Sequence, residues 1–500
     1  MSASARFAVG ALLVTAVVVV YAPALSFELI GDDYQMAQLA RQALDSPAVL
    51  LAPIGEFFRP VSTWLLAADR LAWGTDPRGY HLTTLGLHVI ATLLLLAAAR
   101  RLGVGRAASW VAGLVWACSP FASEVAVWAA VRHEQTLLIA WLVLILVWPT
   151  HGGRWSRGRI AAAGAALALA AVSKETWVVT PGLVAILLAS LERASRRRAA
   201  VITAAVTAAV AVYTAVRFLA FPSFRGYYEF AAAPLAKVPQ TVAAFLALGG
   251  LEPAPASASV TSLAATAALV GLILAGRRRP AVAVGAALLF LPLLPVLFVP
   301  FMPLRYAHVP FAGFVLVAAD GVAVGLGRLR PRVRRAGAAV ALAGVALVCA
   351  VWIGATRDTL ADVARVSRAH RALLAEARAI APRLPTDRPV VVLRLDRASV
   401  LDEVARFPVG WPQPWFARHA DPGALVDAAA LFEWVLDDRR VTVRRLDDWA
   451  TATRGAAGSV IAHGPGGFGM VAEHVGDTAD VAARWLGQGT PLRVIRVATH

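Results

Sequence analysis

The chain has 500 residues, of which 59% are hydrophobic, and its mean hydropathy is +0.65. A soluble protein of this size needs far more polar surface, so the composition excludes that class and indicates an integral membrane protein. The formal net charge is +17, which raises the question of a nucleic-acid partner. The two cysteines, Cys118 and Cys349, lie inside apolar runs and predict neither a disulfide framework nor a cysteine metal site.

Eleven apolar windows, each close to the roughly 20 residues that a bilayer requires, follow one another along the chain. They lie near 7–25, 82–99, 107–123, 135–149, 159–172, 176–191, 199–219, 259–276, 281–299, 306–326 and 336–354. The first window follows a weakly basic start and precedes a poor cleavage site, so we interpret it as a retained helix. The segment 238–251 is too short to cross and is predicted to lie in, or dip into, the outer interface.

The arginines are concentrated in alternate connections between these windows. The set comprises Arg6, Arg100, Arg101, Arg106, Arg154, Arg157, Arg159, Arg193, Arg196, Arg197, Arg198, Arg277, Arg278, Arg279, Arg328, Arg330, Arg332, Arg334 and Arg335. One acid, Glu192, accompanies these nineteen arginines, which is typical of cytoplasmic loops. The pattern places the N-terminus in the cytoplasm and the C-terminal domain outside. Topology therefore explains the positive charge, and no nucleic acid is predicted.

The tail from about residue 356 changes composition. Its segments "PVVVLRLD", "RVTVRRL", "GSVIAHG" and "LRVIRVA" alternate like short strands, and "ALVDAAALFEWVLDD" is helical in pattern. The glycines of "GPGGFGMV" (464–471) lie between strand-like segments, so they predict a turn rather than a dinucleotide-binding loop. The predicted fold class is an α-helical polytopic membrane protein of about eleven transmembrane helices, residues 1–355, with a small α/β extracytoplasmic domain at 356–500.

The residues with useful chemistry fall on the outer side or at outer helix ends, and the first outer loop, 26–80, carries several of them. The candidates are Asp32, Asp33, Arg59, His81, Glu124, Arg132, Glu134, Lys174, Glu175, Arg305 and Tyr306, with Glu56, His133 and His308 beside them. The inner loops offer arginine and little else. A site that combines acid, base and cation chemistry therefore faces away from the cytoplasm.

An enzyme on that face has no ATP or nucleotide-sugar and must draw on a donor that the lipid carries. A polyprenyl-phosphate-linked sugar fits, because phosphate leaves without protonation. The reaction then needs one base for the acceptor hydroxyl and cations for the departing phosphate. The adjacent carboxylates of Asp32 and Asp33 repel each other, so one is expected to have a raised pKa that suits a base. The alternative is structural, with Asp33 capping the helix that begins at "YQMAQLARQAL".

The order of these segments resembles a known family. "GDDY" (31–34), "FFRPVSTWLLAADRLAWGTDPRGYHLTTLGLHVIATLLL" (57–95), "SPFASEVAVWAAVRHEQTLLIA" (119–140), "SKE" (173–175) and "RYAHVPFAGF" (305–314) resemble the outer segments of GT-C glycosyltransferases. The match is to the protein O-mannosyltransferase branch that includes the transmembrane and tetratricopeptide-repeat proteins. The resemblance covers about residues 7–330.

The resemblance implies a polyprenyl-phosphate-linked sugar donor, a glycan or protein acceptor and a catalytic acid in the first outer loop, here Asp32 or Asp33. Separately, the composition, rich in Ala, Arg and Val and poor in lysine, indicates a GC-rich bacterial genome and hence the bacterial cytoplasmic (inner) membrane of the cell envelope. Thr84 stands where the family pattern has asparagine, and Glu134 where it has aspartate. The tail has no 34-residue helical repeat, so mannose as the sugar and protein as the acceptor stay open.

Each binding candidate has a structural alternative. Arg59, Arg132 and Arg305 suit the donor phosphate, but an arginine at a helix end also snorkels to the interface. Lys174 and Glu175 lie where charges are costly, which favours function, although a structural ion pair is the alternative. His81 is placed to touch substrate, while His88, two turns deeper, is interpreted as a packing residue. No metal-ligand spacing supports a metal site at Asp32, Asp33, His81 or Glu134, so no metal is predicted and a divalent cation stays an alternative.

Three other functions compete with a glycosyltransferase. A flippase or transporter of lipid-linked glycans is expected to carry ionisable residues near mid-membrane and repeated halves, which this sequence lacks. An O-antigen-ligase-like transferase with a diphosphate-linked donor would use the same face. A membrane anchor for a binding tail would not need eleven spans with ordered polar loops.

Overall fold

The computed structural model describes residues 3–53, 57–220, 237–246, 258–299 and 302–383, together with short segments of the tail. Those segments are 390–393, 430–431, 434–435, 442–443, 459–464, 467–472, 493–494 and 497–498. Glu56 and most of the predicted tail helix at 424–438 lie outside the described residues.

Sixteen α-helices account for most of the described chain. They are α1 Ala3–Tyr21, α2 Asp33–Asp45, α3 Pro60–Trp73, α4 Pro77–Arg101, α5 Arg106–Ala117, α6 Ser123–Val127, α7 Arg132–Val147, α8 Arg157–Ser173, α9 Thr180–Leu187, α10 Arg196–Ala220, α11 Lys237–Leu246, α12 Ala258–Gly276, α13 Pro280–Phe290, α14 Leu293–Val296, α15 His308–Gly327 and α16 Pro331–Ile380. Each of the eleven apolar windows coincides with one or more of these helices. Proline opens α3, α4, α13 and α16, where its fixed φ suits the first turn and no N–H is needed.

Six helices of the described part are long and apolar enough to cross a membrane, or seven if the bent pair α5 and α6 forms one span. The six run Pro77–Arg101, Ala129–Val147, Glu175–Glu192, Arg196–Ala220, Leu304–Gly327 and Pro331–Ile380. Shorter apolar helices lie at Gly10–Ser26, Leu263–Gly276 and Pro280–Val296. The helices are those of a multi-pass membrane protein, and the full count of eleven spans stays a prediction.

The main apolar core is formed by α4, α7, α8, α9, α13 and α15. The short helix α11 belongs to it, because Phe245 packs against Phe121, Phe311 and Phe314 with ring centroids 4.8–5.4 Å apart. The described part of the segment 238–251 is therefore a helix that packs through an aromatic side chain. Its predicted place at the outer interface stays a prediction.

A second core lies at the end where the candidate residues meet. It joins the end of α1, the first outer loop, α2 and the far half of α16. Helix α16 has 50 residues and is about 75 Å long at 1.5 Å per residue, more than a bilayer thickness. It continues without interruption through the predicted domain boundary at 355/356, and its residues from Thr356 to Ile380 bury one face against the first loop.

The tail contributes strands at all four places where the alternation predicts them. These are β1 Val390–Leu393, β2 Thr442–Val443, β3 Ser459–Gly464, β4 Gly467–Ala472, β5 Arg493–Val494 and β6 Val497–Ala498. Strand β3 pairs in parallel with β1 and antiparallel with β4 and β5, while β2 pairs with β6. Gly464 pairs with Gly467, so "GPGGFGMV" includes the reversal between β3 and β4. The α/β character of the whole tail stays a prediction.

Helices α13 and α15 approach each other so closely that only glycine fits at one crossing. A Cβ at Gly313 would lie 2.4 Å from the carbonyl oxygen of Gly285 and 2.4 Å from the amide nitrogen of Leu289. We expect Gly313→Ala to destabilise the protein by about 1–3 kcal/mol, because the two backbones must separate. Thermal unfolding in detergent measures this loss.

Gly325→Ala is the matched control, because it lies on the same helix and a Cβ there meets no atom within 4 Å. Alanine is the better helix former, so this variant should unfold at an equal or higher temperature. Equal melting temperatures for Gly313→Ala and wild type would contradict the close crossing.

Candidate active site

The outer polar segments all lie at interruptions between helices. Residues 27–32, which we call the first loop from here on, precede α2, and Arg59 precedes α3. Lys174 separates α8 from a 3₁₀ turn at Glu175–Val179, and Arg305 lies in a 3₁₀ turn, Leu304–Ala307, that precedes α15. Because a helix end leaves backbone N–H or C=O groups without helical partners, these interruptions attract polar side chains into an otherwise apolar protein. Their meeting point is the candidate site.

Asp33 is completely buried and fastens the first loop. One carboxylate oxygen accepts the N–H of Ile30 at 3.0 Å, and the other accepts the N–H of Ala130 at 2.6 Å. Burial raises the pKa of Asp33 to about 8, although both hydrogen bonds act to lower it. The expected cap of α2 is not formed, because Asp33 is the first residue of the helix and its side chain turns back to Ile30 and across to Ala130.

Asp32 occupies the N-cap position of α2 and is exposed, in contrast to its neighbour. The pKa of Asp32 is raised because the surrounding protein displaces water from the carboxylate. The positive charges of Arg305 and Arg59 and the indole of Trp128 lower that pKa and thus favour the charged form. Asp32 is thereby an accessible carboxylate that faces two arginines.

Arg59 is held by a buried carboxylate. Its guanidinium donates to both oxygens of Glu175, with the shortest contact, from Nη2, at 2.8 Å, and Nη1 donates to His133 Nε2 at 3.1 Å. Arg217 of α10 contacts the same carboxylate at 3.4 Å and donates to the carbonyl oxygen of Phe58 at 2.8 Å. Glu175 therefore fixes two guanidinium groups at once.

Two further cations have the same arrangement. The ammonium of Lys174 donates to Glu134 and lies 4.1 Å from the centre of the Tyr306 ring. Arg305 contacts Glu124 through its guanidinium at 3.4 Å and through its backbone N–H at 3.2 Å, and it lies 5.0 Å above the Trp128 ring. Each cation is thus oriented by one buried carboxylate and by aromatic rings, and the Tyr306 ring also lies 5.4 Å from the guanidinium of Arg305.

A small pocket opens among these groups. It is lined by Phe57, Arg59, Lys174, Thr176, Val296, Val299 and Tyr306. The lining combines the cations of Arg59 and Lys174 with the apolar side chains of Phe57, Val296 and Val299. Such a pocket suits a ligand that is anionic at one end and apolar at the other.

Arg132 and His81, predicted to bind the donor, are instead buried in supporting contacts. Arg132 has no exposed surface and is paired with Asp69, while its Nε donates to Thr84 at 2.9 Å. His81 is equally buried, and its Nε2 donates to the carbonyl oxygen of Glu28 at 3.2 Å. Thr84 thus accepts from an arginine, and neither Arg132 nor His81 faces the pocket.

The structure adds site residues that the sequence reasoning did not select. These are Arg217, Trp128, Asp69 and Ser367, each of which contacts a candidate residue or its loop. Arg217 had a usable signal, because it is an arginine at the outer end of an apolar window, against the positive-inside bias. Among the described residues, no three His, Cys, Asp or Glu side chains converge as a metal site would require.

The fold, unlike the sequence, has a counterpart among solved structures. No protein-family model and no curated protein sequence matches the chain. The crystal structure of ArnT from Cupriavidus metallidurans bound to undecaprenyl phosphate superposes with a TM-score of 0.53, covering 97% of both chains at 16% identity. The chain shares the fold of that structure. ArnT of the same organism in the apo state gives a TM-score of 0.43 over 87% of this chain and 78% of its own, at 18% identity.

The fold shared with ArnT agrees with the polytopic helical fold that the resemblance of the segments implies. The O-mannosyltransferase branch within the superfamily stays a prediction, since a likeness at 16% identity establishes the fold alone.

The contrast between the two aspartates generates a stability prediction. Asp33→Asn replaces one of two accepting oxygens by an NH₂ group, so the N–H of Ile30 or Ala130 loses its partner. We expect a loss of about 1–3 kcal/mol in unfolding free energy. Asp32→Asn keeps a side-chain oxygen that can accept from the Trp128 indole, so this variant should stay within about 0.5 kcal/mol of wild type.

Thermal unfolding of both variants in the same detergent makes the comparison. If Asp32→Asn proved the less stable of the two, the assignment of Asp33 as the fastening residue would have to be abandoned.

Proposed function

We propose that the chain is a membrane glycosyltransferase that moves a sugar from a polyprenyl-phosphate-linked donor to an acceptor hydroxyl on the extracytoplasmic face. The observation that carries this proposal is the exposed carboxylate of Asp32 in the field of Arg305 and Arg59. The fold shared with ArnT supports it, as does the undecaprenyl phosphate that ArnT binds in that structure.

Asp32 is the proposed general base. A base must reach the proton that it removes, so accessibility decides between the two aspartates. Burial raises the pKa of Asp33 to about 8, but both of its oxygens are occupied by backbone N–H groups. Asp32 is exposed, and its raised pKa strengthens it as a proton acceptor.

Arg59, Lys174 and Arg305 are the proposed ligands of the donor phosphate. When the bond between the anomeric carbon and the phosphate oxygen breaks, the departing phosphate gains negative charge. Cations that are already fixed in place stabilise that charge without rearranging. Their partners Glu175, Glu134 and Glu124 set their positions, and Tyr306 packs under Lys174. We assign Arg132 and His81 a supporting role.

The apolar wall of the pocket is proposed to receive the first part of the lipid chain. Phe57, Val296 and Val299 line the pocket beside the cations. A polyprenyl phosphate has this polarity, with its charge at the end of a hydrocarbon. The lining residues do not distinguish one sugar from another. The proposal therefore names a hexose, such as mannose, as the sugar class and a glycan or protein as the acceptor class. The O-mannosyltransferase branch is part of the same proposal.

The membrane arrangement belongs to the same proposal. We propose eleven spans, a cytoplasmic N-terminus and a bacterial inner membrane, on the strength of the arginine alternation. The division at about 355/356 and an extracytoplasmic α/β tail are proposed from the composition change and the strands β1–β6. No metal ion is required by the proposed chemistry.

The central test is transfer from a labelled polyprenyl-monophosphate sugar by purified protein. Asp32→Asn should lower the turnover by at least about 100-fold, because general-base assistance contributes 10²–10⁴-fold. Donor binding, measured by equilibrium binding of the labelled lipid, should be retained. Asp33→Asn, assayed at a temperature where it stays folded, displaces the base without removing it and should therefore lose less turnover than Asp32→Asn.

Full turnover in Asp32→Asn would remove Asp32 as the base. Failure of the wild-type protein to release polyprenyl phosphate from any such donor would overturn the glycosyltransferase proposal itself.

The pH dependence gives a second test. Asp32 acts as a base only when ionised, so kcat/KM should fall as the pH drops through its raised pKa. Arg305→Gln removes a charge that lowers this pKa, so the acidic limb should move to higher pH by about one unit. Arg305→Lys keeps the charge and should leave the limb near its wild-type position.

Arg328→Gln, at the opposite end of α15, is the control for loss of an arginine from that region. An acidic limb that stayed in place in Arg305→Gln would show that Asp32 is not the group that titrates.

A further inference from the structure

The backbone next to the proposed base is held from outside the membrane core by the far half of α16. Ser367 Oγ accepts the N–H of Glu28 at 2.9 Å, and His370 Nδ1 donates to the carbonyl oxygen of Leu29 at 3.1 Å. Arg371 donates from Nη2 to the carbonyl oxygen of Ser26 at 2.8 Å. These three residues, the α16 clamp, are spaced i, i+3 and i+4 and so lie on one face of the helix.

The clamp also contacts a side chain of the loop. Arg371 Nε donates to the Glu28 carboxylate at 2.9 Å, so one guanidinium contacts the loop at two positions. From the opposite side, His81 donates to the carbonyl oxygen of Glu28. Glu28 is thus fixed through its N–H, its carbonyl oxygen and its carboxylate, four residues before Asp32.

Aromatic packing extends this support into the tail. His370 lies edge-to-face with Tyr34 of α2 at 5.9 Å, and Tyr34 lies 6.0 Å from Trp434 of the tail in the same geometry. Trp434 also packs against Tyr80 of α4 at 5.7 Å and lies 5.4 Å from the guanidinium of Arg70. Leu431, one turn earlier, is completely buried in the same core.

The geometry points to a positioning function for the α16 clamp. We propose that Ser367, His370 and Arg371 set the position of Asp32 relative to Arg305 and Arg59, although none of the three reaches the pocket. This inference rests on the proposed function and extends it. Residues 1–355 alone then lack a part of the catalytic apparatus, because the clamp begins beyond that boundary.

The clamp can affect the position of the base because only a few residues of chain separate Glu28 from Asp32. Phe27 to Ile30 form neither helix nor strand, and side chains of α16, α4 and Asp33 bind the backbone polar groups of Glu28, Leu29 and Ile30. Of the contacts named here, only those of Asp33 and His81 would still hold the loop if the clamp were removed. A shift of about 1 Å in a reacting group can cost as much as 100-fold in rate.

Two measurements on the full chain test this proposal. Ser367→Ala/Arg371→Met should lower the kcat of sugar transfer about 10-fold or more, with the KM for the polyprenyl-phosphate sugar within about twofold of wild type, because the base and not the donor site is displaced. Hydrogen exchange of the amides in 27–33 should accelerate, because Glu28 N–H loses its acceptor. His370→Asn places an amide donor near the position of Nδ1 and should retain more activity than His370→Phe.

Arg368→Met is the matched control. Arg368 lies one turn before Arg371 on the exposed side of α16, and its loss should change neither kcat nor the exchange of 27–33. Unchanged kcat together with unchanged exchange in the double variant would overturn the proposal. Faster exchange with unchanged kcat would also overturn it, since the clamp would then be purely structural.

The failure of this inference is distinguishable from that of the proposed function. If Asp32→Asn is inactive while the clamp variant is fully active, the glycosyltransferase proposal stands and the positioning proposal falls. If wild type transfers no sugar, the exchange measurement still reports whether the clamp holds the loop.

Discussion

The carboxylate of Asp33 joins two outer segments that are about a hundred residues apart in the chain. It binds the N–H of Ile30 on its own loop and the N–H of Ala130 in the 3₁₀ turn before α7. Both N–H groups are buried where water cannot replace the contact, and each would lose free energy if left without a partner. Asp32, the residue just before it, takes its position in part from this bridge. The loop that carries the proposed base therefore depends on that carboxylate.

The site contains charged side chains whose burial would cost free energy if they had no partner. Charged side chains are expensive in an apolar protein, and an unpaired one is more expensive still. Glu175, Glu134 and Glu124 each hold a cation, so Arg59, Lys174 and Arg305 are desolvated without being left alone. Each ion pair fixes the orientation of its cation, and so also fixes the direction of the N–H groups that the carboxylate does not bind. A phosphate that arrives therefore meets cations that need little reorganisation, which is the electrostatic requirement for a leaving phosphate.

The sequence predicts the helices well because hydropathy and proline positions act locally. It also predicts that Asp32, Arg59, Lys174, Glu175 and Arg305 share one face, since the arginine alternation orders the loops. It does not predict that Asp33 turns away from α2 to bind Ala130, because that contact depends on tertiary packing. Nor does it separate Arg59 from Arg132: both are arginines near outer helix ends, and only the packing shows that Asp69 and Thr84 enclose one of them. Arg217 was missed for the same reason, because its partner Glu175 is 42 residues away.

The amino-acid composition changes near residue 355, although α16 is continuous there. The composition changes because the two halves of the helix have different surroundings. The first half exposes Val340, Leu342 and Leu347, as a lipid-facing helix does, whereas the second half buries Val363, Val366 and Leu374 against the first loop. A change of surroundings, from lipid to protein, produces the change of composition without any break in the backbone. A helix that is rigid across this point transmits the position of the membrane core to the loop that carries Asp32. On the proposed topology, the composition change marks where the helix leaves the bilayer, and the structural unit that supports the proposed base extends beyond it.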